Sequence, residues 1–482
     1  MVSSSSAVLG RPARTRALPA LAAASLIVAS LLATTPASGV EDDGFGVGYD
    51  VESTSEPSSS RVPDAGEPLD LEAAAAGTVT GRILYNGTPS NSGVVTFYPT
   101  FNPSIAAGSA STNSDGNYSI AGLPAGQYLV AFSHYGPTPF ERAREWAYDA
   151  DVQRDADTVT LVEGTPANLG DYNIGLRNIS PSRVAGSDRF STAAAISELA
   201  WPNGLAGTVF VVNGRNFPDA LSAGAAARTG SLLMVEQNSV PAVTRAELTR
   251  LDPNRIVVVG GTSVVSNGVL STLRNYVDIP SNVVRIAGTD RYATSRAVIE
   301  STAGLNRDVD ALLIATGSNF PDALAAVPAA IVENAAVLLV DGSANRLDST
   351  TRSLVSSLNV PVYIIGGPGA VSSGIAQDLD DLVAVERVAG VDRFDTSVEV
   401  ALEFFGAADY AFLANGFGFA DALAAGPAAG LLQSPTYLVR KECVPDGVYE
   451  DIFEVLANRV VSVGGTSVIS SDAAAGRPCS TL

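Results

Sequence analysis

The chain has 482 residues, 46% of them apolar and 16% charged, which is enough for several folded domains. With 29 basic against 50 acidic residues the net charge is −21, a balance that argues against a nucleic-acid partner held by a basic face. Local arginine clusters that meet an anion remain open, and because Lys441 is the only lysine, nearly all positive charge is guanidinium.

In chain order, residues 1–37 read as an export signal. Arg11, Arg14 and Arg16 precede the apolar run "ALPALAAASLIVASLLATT", and "TPA" offers small residues for cleavage near Ala37. The mature protein is therefore expected outside the cell, with no membrane span left after cleavage. Residues 38–76 are acidic and rich in Ser, Pro and Gly, which suits a flexible tether.

Over residues 77–176 the runs "GTVTGRILYN", "SGVVTFYPT", "NYSIAGL" and "QYLVAFSHY" alternate in polarity and are divided by the turns "SDGN" and "LPAGQ". That pattern predicts an antiparallel β-sandwich. His134, the chain's single histidine, ends one of these strands. A catalytic histidine needs a partner or co-ligands, so His134 reads as an ordinary edge residue, and a Ser-His-Asp site has no support from spacing.

From Arg183 a phrase recurs: "RVAGSDRFST", then "RIAGTDRYAT" at Arg285 and "RVAGVDRFDT" at Arg387, at equal intervals of 102 residues. A unit of that length buries its own core, which predicts three tandem domains, residues 183–284, 285–386 and 387–482. Within the first, "GTVFVVNG", "SLLMVE" and "RIVVVGG" read as buried strands. "STAAAISELA", "PDALSAGAAAR", "PAVTRAELTRL" and "SNGVLSTLRNY" read as the helices between them. Alternating elements with strands apolar on both faces imply a parallel sheet covered on both sides, a small Rossmann-like layer structure. Ligands of such sheets sit beyond the carboxyl ends of the strands, where the repeated polar residues collect.

Asp219, Asp322 and Asp421 open an Ala-rich helix and are assigned as its caps. Arg189, Arg291 and Arg393 of the DR pairs either bridge to a neighbouring carboxylate or present a fork to an anionic ligand. Arg393 is assigned to internal pairing, because its repeat departs most from the others, and Arg189 and Arg291 to ligand contact. The pairs Gly260-Gly261, Gly366-Gly367 and Gly464-Gly465 either expose backbone N–H groups to phosphate or serve tight turning. Cys443 and Cys479, the only cysteines, are expected to pair in an oxidising compartment. No P-loop, GxGxxG, zinc motif or matched nucleophile and base appears, so no cofactor, metal or catalytic residue is expected.

Two resemblances carry further expectations. "TNSDGNYSIAGLPAGQYLVAF" resembles the carboxypeptidase regulatory-like β-sandwich family, which implies a spacer or adhesive domain. The threefold "R[VI]AGxDR[FY]xT", "F[PA]DAL[SA]A" and "GGxxxV[IV]S" set over residues 183 to about 475 resembles the cell wall binding repeat 2 family of Gram-positive bacteria. That resemblance implies a pseudo-threefold array of Rossmann-like or toprim-like domains, anchoring a surface protein noncovalently to an anionic, teichoic-acid-like wall polymer or a peptidoglycan-linked glycan. Candidate polymer contacts are Arg189, Arg291 and Arg393 together with Asn213, Asn319, Ser266, Ser372 and Ser470. A surface-layer component and a targeting subunit of a peptidoglycan hydrolase are the alternatives. The charge complicates the first reading, since residues 183–482 carry 20 basic against 31 acidic residues and repel an anion in sum.

Overall fold

The computed structural model describes residues 77–481 apart from 86, 101–105, 136–140, 147–157, 175–176, 205, 216, 229, 303 and 419. The expected signal and tether, 1–37 and 38–76, lie outside the described residues. Among the described residues no helix is long and apolar enough to cross a membrane.

The first part of the described chain forms two sheets. One joins Val79–Tyr85 to Thr88–Pro89, Asn117–Ile120 and Ala167–Ile174, and the other is built around Gly93–Pro99 and Gly126–Tyr135. Alternate residues of both sheets, among them Val79, Ile83, Val95, Phe97, Val130 and Phe132, meet in one core, which is what period-two patterning demands. One pairing departs from the antiparallel expectation: Ala167–Ile174 runs parallel to Val79–Tyr85. The strand before it, Val159–Leu161, belongs to the other sheet, so the chain changes sheets between them and no hairpin dictates its direction.

Beyond residue 179 come three four-stranded, all-parallel sheets. In spatial order the first is Ser231–Val235, Thr208–Asn213, Arg255–Val259 and Val283–Ile286. The second is Ala335–Val340, Ala311–Thr316, Val362–Ile365 and Val385–Val388. The third is Thr436–Val439, Tyr410–Asn415, Arg459–Val463 and Ser180–Val184. Ser231–Val235, Ala311–Thr316 and Ala335–Val340 are buried along their whole length, as strands covered on both faces must be.

Sheet and sequence repeat are out of phase. The strand that opens each repeated phrase is not the first strand of its own sheet; it is the edge strand of the sheet before. Val283–Ile286 completes the first sheet and Val385–Val388 the second, while Ser180–Val184, at the start of the array, completes the third. The array is thereby closed on itself through a pairing between residues some 280 positions apart.

At the centre the helices Phe217–Ala226, Pro321–Val332 and Ala420–Leu431 pack on one another. Ala and Gly let three backbones converge, and the equivalent positions Gly224, Val327 and Gly426 show how the space is divided. A Cβ on Gly224 would stand 3.0 Å from the Val327 side chain, and one on Gly426 only 2.6 Å from it. One isopropyl group fills what two glycines leave open.

Overpacking of a close-packed interior costs about 1–3 kcal/mol, so Gly426→Ala is expected to lower stability by that amount. Val327→Ala in the same chain should restore part of the loss, because touching side chains couple. Urea unfolding of the two single variants and the double checks this, and strict additivity would show that the two positions do not share space.

Candidate functional site

The residues of the repeated phrase are placed by the start of the helix that follows it. Asp188, Asp290 and Asp392 are its N-caps: Asp188 accepts from the Ser191 N–H at 2.8 Å, Asp290 from Ala293 at 2.8 Å, and Asp392 from Phe394 and Asp395 at 2.9 and 3.0 Å. The arginine five residues before the cap reaches back to the preceding sheet. Arg183 Nη1 donates to the Gly464 carbonyl at 2.6 Å, Arg285 to Gly260 at 2.5 Å and Arg387 to Gly366 at 2.6 Å. Each of these carbonyls belongs to the first glycine of a Gly-Gly pair, at φ +97°, +115° and +106°. The glycine pair of one repeat is thus clamped by the arginine of the next.

Against the same glycines lie the carboxylates of the central helices. A Cβ on Gly260, Gly366 or Gly464 would come within 2.5–2.6 Å of an oxygen of Asp219, Asp322 or Asp421. The left-handed φ and the approach of the carboxylate both require glycine there. From the far side comes the next repeat. The Thr294 hydroxyl bonds Asp219 and the Arg291 charge faces it; Thr192 and Arg189 do the same for Asp421, and the Arg393 charge faces Asp322. Thr192, Thr294 and Thr396 are buried, and their hydroxyls accept from Gly186, Gly288 and Gly390 N–H groups at 3.1, 3.0 and 3.2 Å.

Burial raises all three carboxyl groups above the ordinary value of 3.8, with the neighbouring guanidinium opposing it; Asp322 is pushed up to about 6. The structure therefore gives the three aspartates a role other than the helix cap assigned from sequence. They stand inside the first turn, Phe320 is the N-cap of the second central helix, and that helix has no side-chain cap. Their carboxylates point into the seam between repeats.

The DR arginines are all treated alike. Arg189 donates to the Gly214 carbonyl at 2.7 Å, Arg291 to Gly317 at 2.5 Å and Arg393 to Gly416 at 2.7 Å, each while facing the carboxylate of the preceding repeat. Nothing in this geometry separates Arg393 from the other two. The three serines are helix N-caps: Ser266 accepts from Val269 at 3.4 Å, Ser372 from Ile375 at 3.2 Å and Ser470 from Ala473 at 3.1 Å.

Asn213 is 6% exposed and uses both ends of its amide, donating to the Val264 carbonyl at 2.6 Å and accepting from Arg215 N–H at 2.7 Å. That spends within the fold a side chain expected to face a polymer. Asn319, three positions further along the phrase, is exposed and accepts from Phe320 N–H at 2.9 Å. Cys443 and Cys479 are joined, with Cα atoms 5.0 Å apart. His134 stacks on Tyr85 at 3.8 Å, its Nδ1 lies 2.8 Å from the Ser90 hydroxyl, and burial lowers its pKa. Ser90 is 1% exposed, so it is out of reach as a nucleophile.

Sequence reasoning missed Arg183, Arg285 and Arg387, the three threonines, and the capping role of the DR aspartates. Their signal was present, since each recurs at a fixed place in all three phrases.

The carboxyl ends of the strands remain open to solvent. On the first sheet they form a cleft of about 580 Å³ lined by Asn213, Arg215, Glu236, Gln237, Ser239 and Ser263. Arg215 and Glu236 are paired across it through two bonds of 2.6 and 2.7 Å. At the equivalent positions the second sheet has Ser318 and Asp341, and the third Phe417 and Arg440.

Residues 183–270, 285–376 and 387–474 each match the cell wall binding domain 2 family, and the chain belongs to that family. It carries three tandem copies of that module. It is 24% identical over 302 residues to the N-acetylmuramoyl-L-alanine amidase LytC of Bacillus subtilis, covering 62% of this chain and 58% of that protein. It is 26% identical over 308 residues to the amidase enhancer of the same organism, covering 63% and 41%. The chain thus spans about half the length of the curated relatives it matches. Among solved structures, Cwp6 from Clostridium difficile shares the fold with a TM-score of 0.56 at 24% identity, over 80% of this chain and 64% of that one. Cwp8 from the same organism gives 0.54 at 20% identity, over 72% and 58%.

Two predictions follow from the seams and from burial. Asp421→Ala leaves the Thr192 hydroxyl without its acceptor where the third repeat meets the first. It is expected to lower stability by about 1–3 kcal/mol, the usual consequence of orphaning a buried polar group. Thermal melting checks this, and an unchanged midpoint would show that the contact does not hold the ring.

The second concerns pH. Asp451 is buried, accepts from the Tyr437 hydroxyl at 2.7 Å, and is pushed up to about 7, as Asp322 is to about 6. Between about pH 4 and 7 the folded chain then holds protons that the unfolded chain has released, so these groups add stability as pH falls through that window. Asp451→Asn keeps an acceptor for Tyr437 and should reduce the slope across about pH 4 to 7, most completely between about pH 6 and 7, with stability at pH 7.5 equal to or above wild type. Urea unfolding at pH 5.5 and 7.5 measures it; parallel slopes in both proteins would contradict it.

Proposed function

We propose that the chain is a secreted surface protein held noncovalently on a Gram-positive wall by its three repeats, which bind an anionic secondary polymer of teichoic-acid-like or peptidoglycan-linked type. The observation that carries this reading is the threefold family match over an array closed into one body, with three sheet edges left facing solvent. Net repulsion from the acidic array is overcome locally, by guanidinium groups, backbone N–H groups at the Gly-Gly turns, or bridging cations. The domain of residues 77–176 is the displayed part, a β-sandwich of the carboxypeptidase regulatory-like kind acting as spacer or adhesive module. Residues 1–37 export the protein and residues 38–76 tether it.

A second reading has a specific observation in its favour: two curated relatives bear amidase names, one an amidase and one an amidase enhancer. In that reading the chain targets or assists a wall hydrolase. With one histidine in the whole sequence, engaged with Ser90, it contributes position rather than chemistry.

Sedimentation with purified walls tests the leading reading. Residues 180–482, which include the closing strand, should pellet with walls and lose this after acid extraction of secondary polymers, while residues 77–176 stay in solution. Equal pelleting of the two fragments, or self-assembly of the array without any wall, would reject it in favour of adhesion by the first domain or of a surface-layer lattice.

A further inference from the structure

The three sheet edges share one backbone plan and differ in chemistry at two equivalent positions. On the first edge Arg215 and Glu236 neutralise each other. On the second, Ser318 stands beside Asp341, whose carboxylate accepts from the Ser343 hydroxyl at 2.7 Å. On the third, the acid is replaced by Arg440 and the small or charged residue by Phe417. The charge at the end of this strand is therefore inverted in one repeat alone, and the chain's only lysine, Lys441, follows it.

These groups form a ladder of cations and rings. The Arg440 guanidinium lies 4.8 Å from the centre of the Phe394 ring, the Arg393 guanidinium 5.0 Å from Phe417, and the two rings meet edge to face at 5.7 Å. Phe417 is 60% exposed. The acids nearby are engaged. Glu442 pairs with Lys441 at 3.2 Å, Asp392 caps its helix, and Asp395 accepts from Val391 N–H at 2.9 Å. Among the described residues Arg440 makes no ion pair.

The segment that carries Arg440 and Lys441 is held in place. Arg440 N–H donates to the Cys443 carbonyl at 3.2 Å, Ser470 N–H donates to the Lys441 carbonyl at 2.8 Å, and the Cys443–Cys479 bond ties the segment to the chain's last turn. A preorganised edge with guanidinium groups against aromatic faces, one ring open to solvent, and Arg440 outside any ion pair among the described residues fits a sugar carrying an anion. The C–H face of the sugar lies on Phe417, whose ring Arg393 supports, and the phosphate or carboxylate lies against Arg440.

Resting on the wall-binding reading above, we propose that anion recognition is concentrated at the edge of the third repeat, in a subsite formed by Phe417, Arg440 and Lys441, and that the other two edges are not equivalent copies of it. The test uses the full chain and purified Gram-positive walls. Arg440→Glu and Phe417→Ser install the kinds of side chain the other repeats carry at these positions. Each is expected to weaken wall binding at least tenfold with an unchanged melting temperature, because both side chains are exposed. Arg215→Ala on the first edge should stay within twofold of wild type.

Competition with poly(glycerol phosphate) and with polygalacturonate distinguishes a phosphodiester from a carboxylate as the anion, and displacement by either supports the subsite. Wild-type affinity in both third-repeat variants, an equal loss in Arg215→Ala, or no displacement by either polymer would overturn it while leaving wall binding intact. Failure of the unaltered chain to bind walls would overturn the functional reading as well.

Discussion

A buried carboxylate in each seam between repeats is the constraint on which the array depends. Removing a carboxylate from water is unfavourable unless it is bonded or neutralised. Asp219, Asp322 and Asp421 have their backs to a glycine that leaves no room for a side chain, and their compensating charges lie across the seam, on the next repeat. A single repeat taken alone holds such an aspartate without a partner, and a pair of repeats satisfies one of two. Three satisfy all, provided that the third meets the first, and the pairing of Ser180–Val184 with Arg459–Val463 brings that about. Equal spacing of the three phrases is then a geometric requirement, since every seam is built from the same parts.

The same logic decides which features were legible in the sequence. The 102-residue period, the alternation of buried strands and helices, and the Ala-rich central helices are local patterns. Each follows from periodicity within a dozen residues. The phase between repeat and sheet is not local. Nothing in "SRVAG" indicates that its strand pairs with one nearly the whole array away, because a parallel edge strand looks the same whichever neighbour it takes. Asp219, Asp322 and Asp421 were read as caps because an acid in the first turn is a sufficient local explanation; their true partners arrive from another repeat.

The capping aspartates of the DR pairs carried a local signal, an acid directly before a helical run, and it was outweighed by the more conspicuous arginine beside it. Asn213 and Asn319 were grouped by residue type although they occupy different places in their phrases, and the structure separates them into a buried strand end and an exposed loop.

These seams also bear on how ligand recognition is read from a repeated sequence. Residues present in all three copies attract attention as a binding signature, yet here the capping Asp is spent on its own helix, and the strand arginine, the Thr, the paired glycines and the helix Asp are consumed in holding one repeat to the next. What a ring needs three times is what its seams need. Ligand chemistry has freedom only where the copies are not bound to agree, at the outer ends of the strands. There the side chains do diverge: an ion pair on one edge, an acid held by a serine on the second, and cations interleaved with rings on the third. An array with an excess of acids meets an anion most readily by gathering its few cations at one such edge, because interaction with an exposed charge fades over about 8–10 Å in salt. At that range the identity of the four or five nearest groups outweighs the sign of the whole chain.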